Sequence, residues 1–63
     1  MNKQEAMDRA KVKSLETGEA QYVYQDDDRG EIFAVANWWS AEQYFPGQVA
    51  IATFEAGEEY SNG

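Results

Sequence analysis

The chain lacks cysteine and histidine and contains a single proline. Without cysteine it can form neither a disulfide nor a thiolate, and a zinc site would have to be built from carboxylates alone, which is unusual. No apolar run reaches the roughly 18 residues of a membrane span, and the amino end lacks the apolar segment of a signal peptide. We therefore expect a cytoplasmic protein with no metal and no other cofactor.

Positive charge is also scarce. Five Lys and Arg residues oppose twelve Asp and Glu residues, which gives a formal net charge of -7 at pH 7, and no cation follows Arg29. Such a field repels nucleic acid and anionic lipid and attracts basic proteins. This argues against direct contact with nucleic acid or a membrane and favours a basic protein surface as the partner. Solubility alone does not explain the imbalance, because charges of mixed sign would serve it equally well.

The residues that are present indicate a folded chain. Apolar residues make up 43% of the 63 positions, and nine residues are aromatic. Disordered segments are poor in such residues. We expect one small domain over residues 1–63, near the lower size limit for folding without disulfides or metals.

Local patterns predict five elements. Residues 2–17 contain no Gly, Pro or aromatic residue and are rich in helix formers, so they predict a helix that ends before Gly18. β-branched and aromatic residues predict strands at about 20–25, 31–36 and 48–55. Ser40 fits the N-cap of a short helix at about 41–45, which Pro46 would end. Residues 56–63 suggest a ragged tail.

The order α-β-β-short α-β predicts an α+β fold in which the N-terminal helix packs on a three-stranded antiparallel sheet. Only residues 37–47 separate the second and third strands, and a parallel crossover needs a dozen or more residues. We therefore expect the third strand to return beside the second, as in a meander. The acidic residues of the turn and the tail would then gather at one end of the sheet. Pairing beside the first strand would split them.

Catalysis and metal binding are not favoured. The run Asp26-Asp27-Asp28 does not have the carboxylate spacing of a calcium-binding EF-hand loop. Ser40 has no histidine to activate it, and so short a chain is not expected to form a ligand pocket of a few hundred Å³. The sequence predicts that the protein is not an enzyme.

The adjacent tryptophans, Trp38 and Trp39, leave two interpretations open. Neighbouring residues point in different directions in a strand or a helix, so both can hardly fill one core. In the first interpretation Trp39 fills the core and Trp38 is merely exposed. In the second, Trp38 anchors an interface, where tryptophan is enriched.

Together these features predict a non-catalytic acidic protein that docks on a basic site of a partner protein. One form is an inhibitor of a nucleic-acid-binding protein, a DNA mimic of the phage or mobile-element type, whose carboxylates take the places of phosphates. The predicted partner-binding residues are Asp26, Asp27, Asp28, Glu31, Trp38, Glu55, Glu58 and Glu59. The alternative is a small adaptor or inhibitor that acts through an exposed aromatic face or a strand edge, with homodimerisation as one of its forms.

Overall fold

The structure, a computed structural model, describes residues 1–61. It confirms the predicted α+β class, with an N-terminal helix, an antiparallel sheet and a short second helix, but the sheet has four strands instead of three. The elements in chain order are α1 (Lys3–Thr17), β1 (Gln21–Gln25), β2 (Phe33–Asn37), α2 (Trp38–Tyr44), β3 (Ala52–Glu55) and β4 (Glu58–Ser61).

Helix α1 ends before Gly18 as its sequence predicts and begins at Lys3, one residue later than predicted. The Asn2 side chain caps the first turn by accepting a hydrogen bond from the backbone N–H of Glu5 at 2.8 Å. Gly18 closes the last turn with a φ of 74°, a left-handed conformation that favours glycine. The buried residues of the helix, Ala6, Ala10 and Ser14, are spaced four apart and small. The helix can therefore lie close against the sheet along this stripe.

The strand order is β2-β1-β3-β4, and each neighbouring pair is antiparallel. The predicted meander is therefore wrong, because β3 pairs with β1 and not with β2. Ala52 lies opposite Val23, and the N–H of Ile51 donates to the carbonyl of Val23 at 2.8 Å. This pairing places Ala52 and Phe54 beside Val23 beneath α1, so that one helix covers three strands.

The sheet is covered on both faces. We call the side that packs on α1 the α1 face; its core consists of Ala6, Ala10, Val23, Phe33, Ala52 and Phe54. We call the opposite side the α2 face; its core consists of Tyr24, Ala36, Ala41 and Ala50, with Tyr22 and Phe45 packed against it. Strand β1 contributes to both cores because its side chains alternate between the faces.

The expected ragged tail is wrong for the described part, since Glu58–Ser61 forms β4; residues 62 and 63 lie outside the described residues. Ala56 and Gly57, with φ values of 51° and 81°, form a two-residue loop with the positive φ angles of a type I′ turn. The buried Ser14 hydroxyl accepts a hydrogen bond from the N–H of Gly57 at 2.9 Å and donates to the carbonyl of Lys11. This long-range contact fixes the β3–β4 turn on α1.

The remaining boundaries differ from prediction at the ends of elements. β2 begins at Phe33 instead of residue 31, and β3 covers only Ala52–Glu55 of the predicted 48–55. Helix α2 begins at Trp38, three residues earlier than predicted. The start of the predicted third strand instead belongs to the connection that crosses the α2 face, where Ala50 is buried.

Replacing Gly57 with alanine is expected to lower the free energy of unfolding more than the same change at Gly47. Both glycines have a positive φ, which costs an L-residue about 1–2 kcal/mol. A Cβ at Gly47 would meet nothing within 4 Å, whereas a Cβ at Gly57 would lie 2.8 Å from Leu15 Cγ and Cδ2. Urea unfolding of the two variants measures the difference, which should be about 1 kcal/mol because Leu15 is partly exposed and can move. Equal losses would contradict the packing of the turn on α1.

Candidate functional site: the α2 face

The sheet separates the charges of the chain. Four of the five cations, Lys3, Arg9, Lys11 and Lys13, lie on α1, and the fifth, Arg29, lies in the β1–β2 turn. The α2 side of the sheet bears the carboxylates of Glu42, Glu55 and Glu58. The two sides of the molecule therefore differ in charge. Helix α1 carries charged side chains of both signs, whereas every charged side chain that α2, β3 and β4 contribute to the opposite side is negative.

Glu55, Glu58 and Tyr60 form one corner of the α2 face. Phe54 is buried beneath α1, so its neighbour Glu55 points to the opposite side. Glu58 lies directly across from Glu55, and the Tyr60 hydroxyl donates to Glu58 Oε2 at 3.3 Å. The negative charge of Glu58 and this hydrogen bond raise the pKa of Tyr60, with a smaller contribution from Glu55. Like charges opposite each other destabilise a sheet, so folding does not account for this pair.

The β1–β2 turn holds the second acidic group. Asp27 Oδ1 accepts hydrogen bonds from the N–H groups of Glu31 and Ile32 at 3.0 and 3.1 Å. Asp27 therefore holds the loop in shape. Asp26, Asp28 and Glu31 have exposed side chains, and these three can face a partner without loss of the turn.

The predicted convergence of the acidic residues at one end is wrong. Because β3 is antiparallel to β1, it starts near the β1–β2 turn and ends at the other end of the sheet. Glu59 lies opposite Phe54 and therefore faces α1, where it lines a groove with Lys3 and Lys11. The eight predicted residues fall into four places: Asp26, Asp27, Asp28 and Glu31 in the turn; Glu55 and Glu58 at the opposite end; Glu59 beside α1; and Trp38 on α2.

A groove of about 450 Å³ lies on the α2 face, although the sequence predicted no pocket of this size. It forms because residues 45–48 pass back over the sheet after α2. We call it the aromatic groove; it is lined by Tyr22, Tyr24, Trp38, Ala41, Glu42, Phe45, Pro46, Gly47 and Gln48. Sequence reasoning identified Trp38 but missed Glu42 and Phe45, because only the return of the chain brings them beside the tyrosines of β1.

The aromatic pair Tyr24 and Phe45 packs in this groove. Their rings are parallel within 7°, and the ring centroids are 4.5 Å apart. Tyr24 is almost fully buried, and this burial, with a smaller contribution from Tyr22, raises its pKa. The stack joins the loop after α2 to the central strand and forms one wall of the groove.

Helix α2 positions Trp38 at the rim of the groove. Its N-cap is Asn37, whose Oδ1 accepts a hydrogen bond from the N–H of Ser40 at 2.8 Å, so the predicted cap at Ser40 is wrong. Asn37 ends β2 in an extended conformation and is a strong capping residue, which lets the strand pass directly into the helix. Trp39 does not fill the core: it is 60% exposed, and Trp38 is 59% exposed.

Within residues 1–61, no three acidic side chains are grouped so that they could hold a metal ion. No helix in the same range has the length and apolar character needed to cross a membrane.

Comparison with known proteins identifies no relative of this chain. No protein-family model matches the chain, and no curated protein or solved structure matches it significantly. The functional argument therefore depends on the residues of the α2 face.

Asn37→Ala is expected to lower the free energy of unfolding by about 1 kcal/mol, because the N–H of Ser40 loses its capping partner. Ser40→Ala is the matched control, since the Ser40 hydroxyl is not the cap, and it should change stability by less than half as much. Thermal or urea unfolding followed by circular dichroism measures both values. A larger loss for Ser40→Ala would place the cap at Ser40 after all.

Glu58→Gln is expected to lower the pKa of Tyr60, because the substitution removes the negative charge that opposes ionisation of the phenol. Titration of the Tyr60 ring by NMR at alkaline pH measures this pKa directly. Glu59→Gln is the control, because Glu59 faces α1 and should leave Tyr60 nearly unchanged. Equal shifts in the two variants would mean that Tyr60 senses only the net charge of the protein.

Proposed function

We propose that the protein is a non-catalytic acidic binding protein whose α2 face docks on a basic site of a partner protein. The observation that carries this proposal is the separation of charge across the sheet. Helix α1 carries four cations mixed with three carboxylates, whereas the charged side chains that α2, β3 and β4 contribute to the α2 face, Glu42, Glu55 and Glu58, are all acidic. The negative charge of the α2 face would attract a basic partner and orient the basic site of the partner towards that face.

The combination of carboxylates and exposed aromatic rings favours a partner that binds nucleic acid. Such proteins hold phosphates with Lys and Arg, and many also stack bases on flat side chains. Glu42, Glu55 and Glu58 can take the places of phosphates, while Trp38 and Tyr60 present ring surfaces next to them. In this proposal the protein is an inhibitor that occupies the nucleic-acid site of its partner.

The second candidate is an adaptor or inhibitor that binds mainly through apolar contacts. The observation in its favour is the exposure of large side chains on α2 and after it: Trp38, Trp39, Tyr44, Val49 and Tyr60. Exposed apolar surface of this kind marks interaction sites when it is contiguous. A homodimer through the α2 face is less favourable than a complex with a basic protein, because each copy brings a net charge of -7.

The two candidates differ in their response to charge removal and to salt. We expect the triple variant Glu42→Gln, Glu55→Gln, Glu58→Gln to weaken capture of a partner from cell lysate by about tenfold or more. The matched control is the triple variant Glu5→Gln, Asp8→Asn, Glu16→Gln, which removes the same charge from exposed positions of α1. Quantitative mass spectrometry of the captured proteins at low and high salt measures both effects. Addition of duplex DNA should release the partner.

Equal losses in the two triple variants would show that only net charge matters and would contradict docking through the α2 face. Capture that resists high salt and is lost with Trp38→Ala would instead support the apolar adaptor. Capture that duplex DNA does not disturb would contradict the nucleic-acid mimic while leaving acidic docking in place.

A further inference from the structure

We propose that the aromatic groove receives an arginine side chain of the partner. This inference rests on the proposed function and names the chemical group that the basic partner presents to the α2 face. Three properties of the groove support it: its ring surfaces, the charge of its lining and its open form.

The ring surfaces suit a flat cation. Trp38 is more than half exposed at the rim, and Tyr22 is half-buried in the wall. A guanidinium group is attracted to the face of an aromatic ring, with tryptophan the best acceptor. Arginine is favoured over lysine because its planar, weakly hydrated head can stack on a ring and keep its N–H donors free for other partners.

The charge of the lining also favours a cation. Glu42 is the one ionised side chain among the residues that line the groove, and it is exposed. A guanidinium stacked on Trp38 could donate hydrogen bonds to this carboxylate, which is a strong charge-assisted contact. None of the lining residues is a Lys or Arg, so no basic side chain of the lining neutralises Glu42 or competes with an incoming cation.

The form of the groove fits a side chain that is carried by another protein. Its lining includes the exposed residues Trp38, Glu42, Pro46, Gly47 and Gln48, so the site opens to the surface. Pockets for free small molecules enclose most of their ligand. An open groove with an aromatic wall instead suits the side chain of another protein, and arginine is enriched among the residues that anchor interfaces.

The test is an NMR titration of the full ¹⁵N-labelled chain with N-acetyl-arginine amide. We expect saturable shifts of the Trp38 indole N–H and of the backbone amides of Gly47 and Gln48. N-acetyl-citrulline amide has nearly the same shape without the charge and should cause no saturable shift. N-acetyl-lysine amide should bind more weakly than the arginine probe, because its head group cannot stack as a plane.

Matched variants locate the contact. Trp38→Ala should weaken binding of the arginine probe by about two- to fivefold, and Glu42→Gln should weaken it by a similar factor. Trp39→Ala is the control: Trp39 is as exposed as Trp38 but does not line the groove, so binding should not change. The ¹⁵N spectra of the variants also report whether each one remains folded.

Several outcomes would overturn the inference. These are citrulline binding equal to arginine binding, lysine binding equal to arginine binding, equal effects of the two tryptophan variants, or arginine-induced shifts confined to the β1–β2 turn. If the arginine probe fails while the carboxylates of the α2 face still govern partner capture, the groove assignment is wrong and the proposed function stands. If the probe binds as expected but partner capture does not depend on those carboxylates, the proposed function is wrong although the groove binds arginine.

Discussion

The fold depends on the burial of both sides of β1. Val23 is fully enclosed beneath α1, and the next residue, Tyr24, is 6% exposed on the opposite side. A strand that buries side chains on both of its faces needs a cover on each face. Helix α1 is one cover, and α2 with the loop that follows it is the other. The central position of β1 follows, because a strand with two buried faces is best placed between two neighbours.

This two-sided arrangement also determines on which side of the sheet the charged residues lie. The cations of the chain are concentrated in its first thirteen residues, and these residues form one cover. The second cover and the last two strands come from the part of the chain that contains no cation. Because the two covers lie on opposite sides of the sheet, an imbalance along the sequence becomes an imbalance between two surfaces. Long-range attraction of a basic partner acts on such a surface field.

Several features of the α2 face do not help the protein to fold. Glu55 and Glu58 are directly opposed, Trp38 is largely exposed beside the groove, and Tyr60 lies at the surface beside the two carboxylates. By contrast, Asp27 among the acidic residues and Asn37 before α2 hold local structure by hydrogen bonds, and Ser14 holds the β3–β4 turn on α1. Residues that lack such roles and share one face are the strongest candidates for contact with another molecule.

What the sequence determined by itself was local. The extent of α1 follows from its helix formers and from the glycine after it, and the β1–β2 hairpin follows from two β-rich segments around a polar turn. Long-range packing places β3 beside β1, forms β4 against β3, and brings Glu42 and Phe45 beside the tyrosines of β1. These contacts join residues far apart in the chain, such as Ser14 and Gly57, which are 43 positions apart. These long-range contacts form because together they bury both faces of β1. Burial of both faces depends on the packing of the whole molecule and cannot be predicted from any short segment.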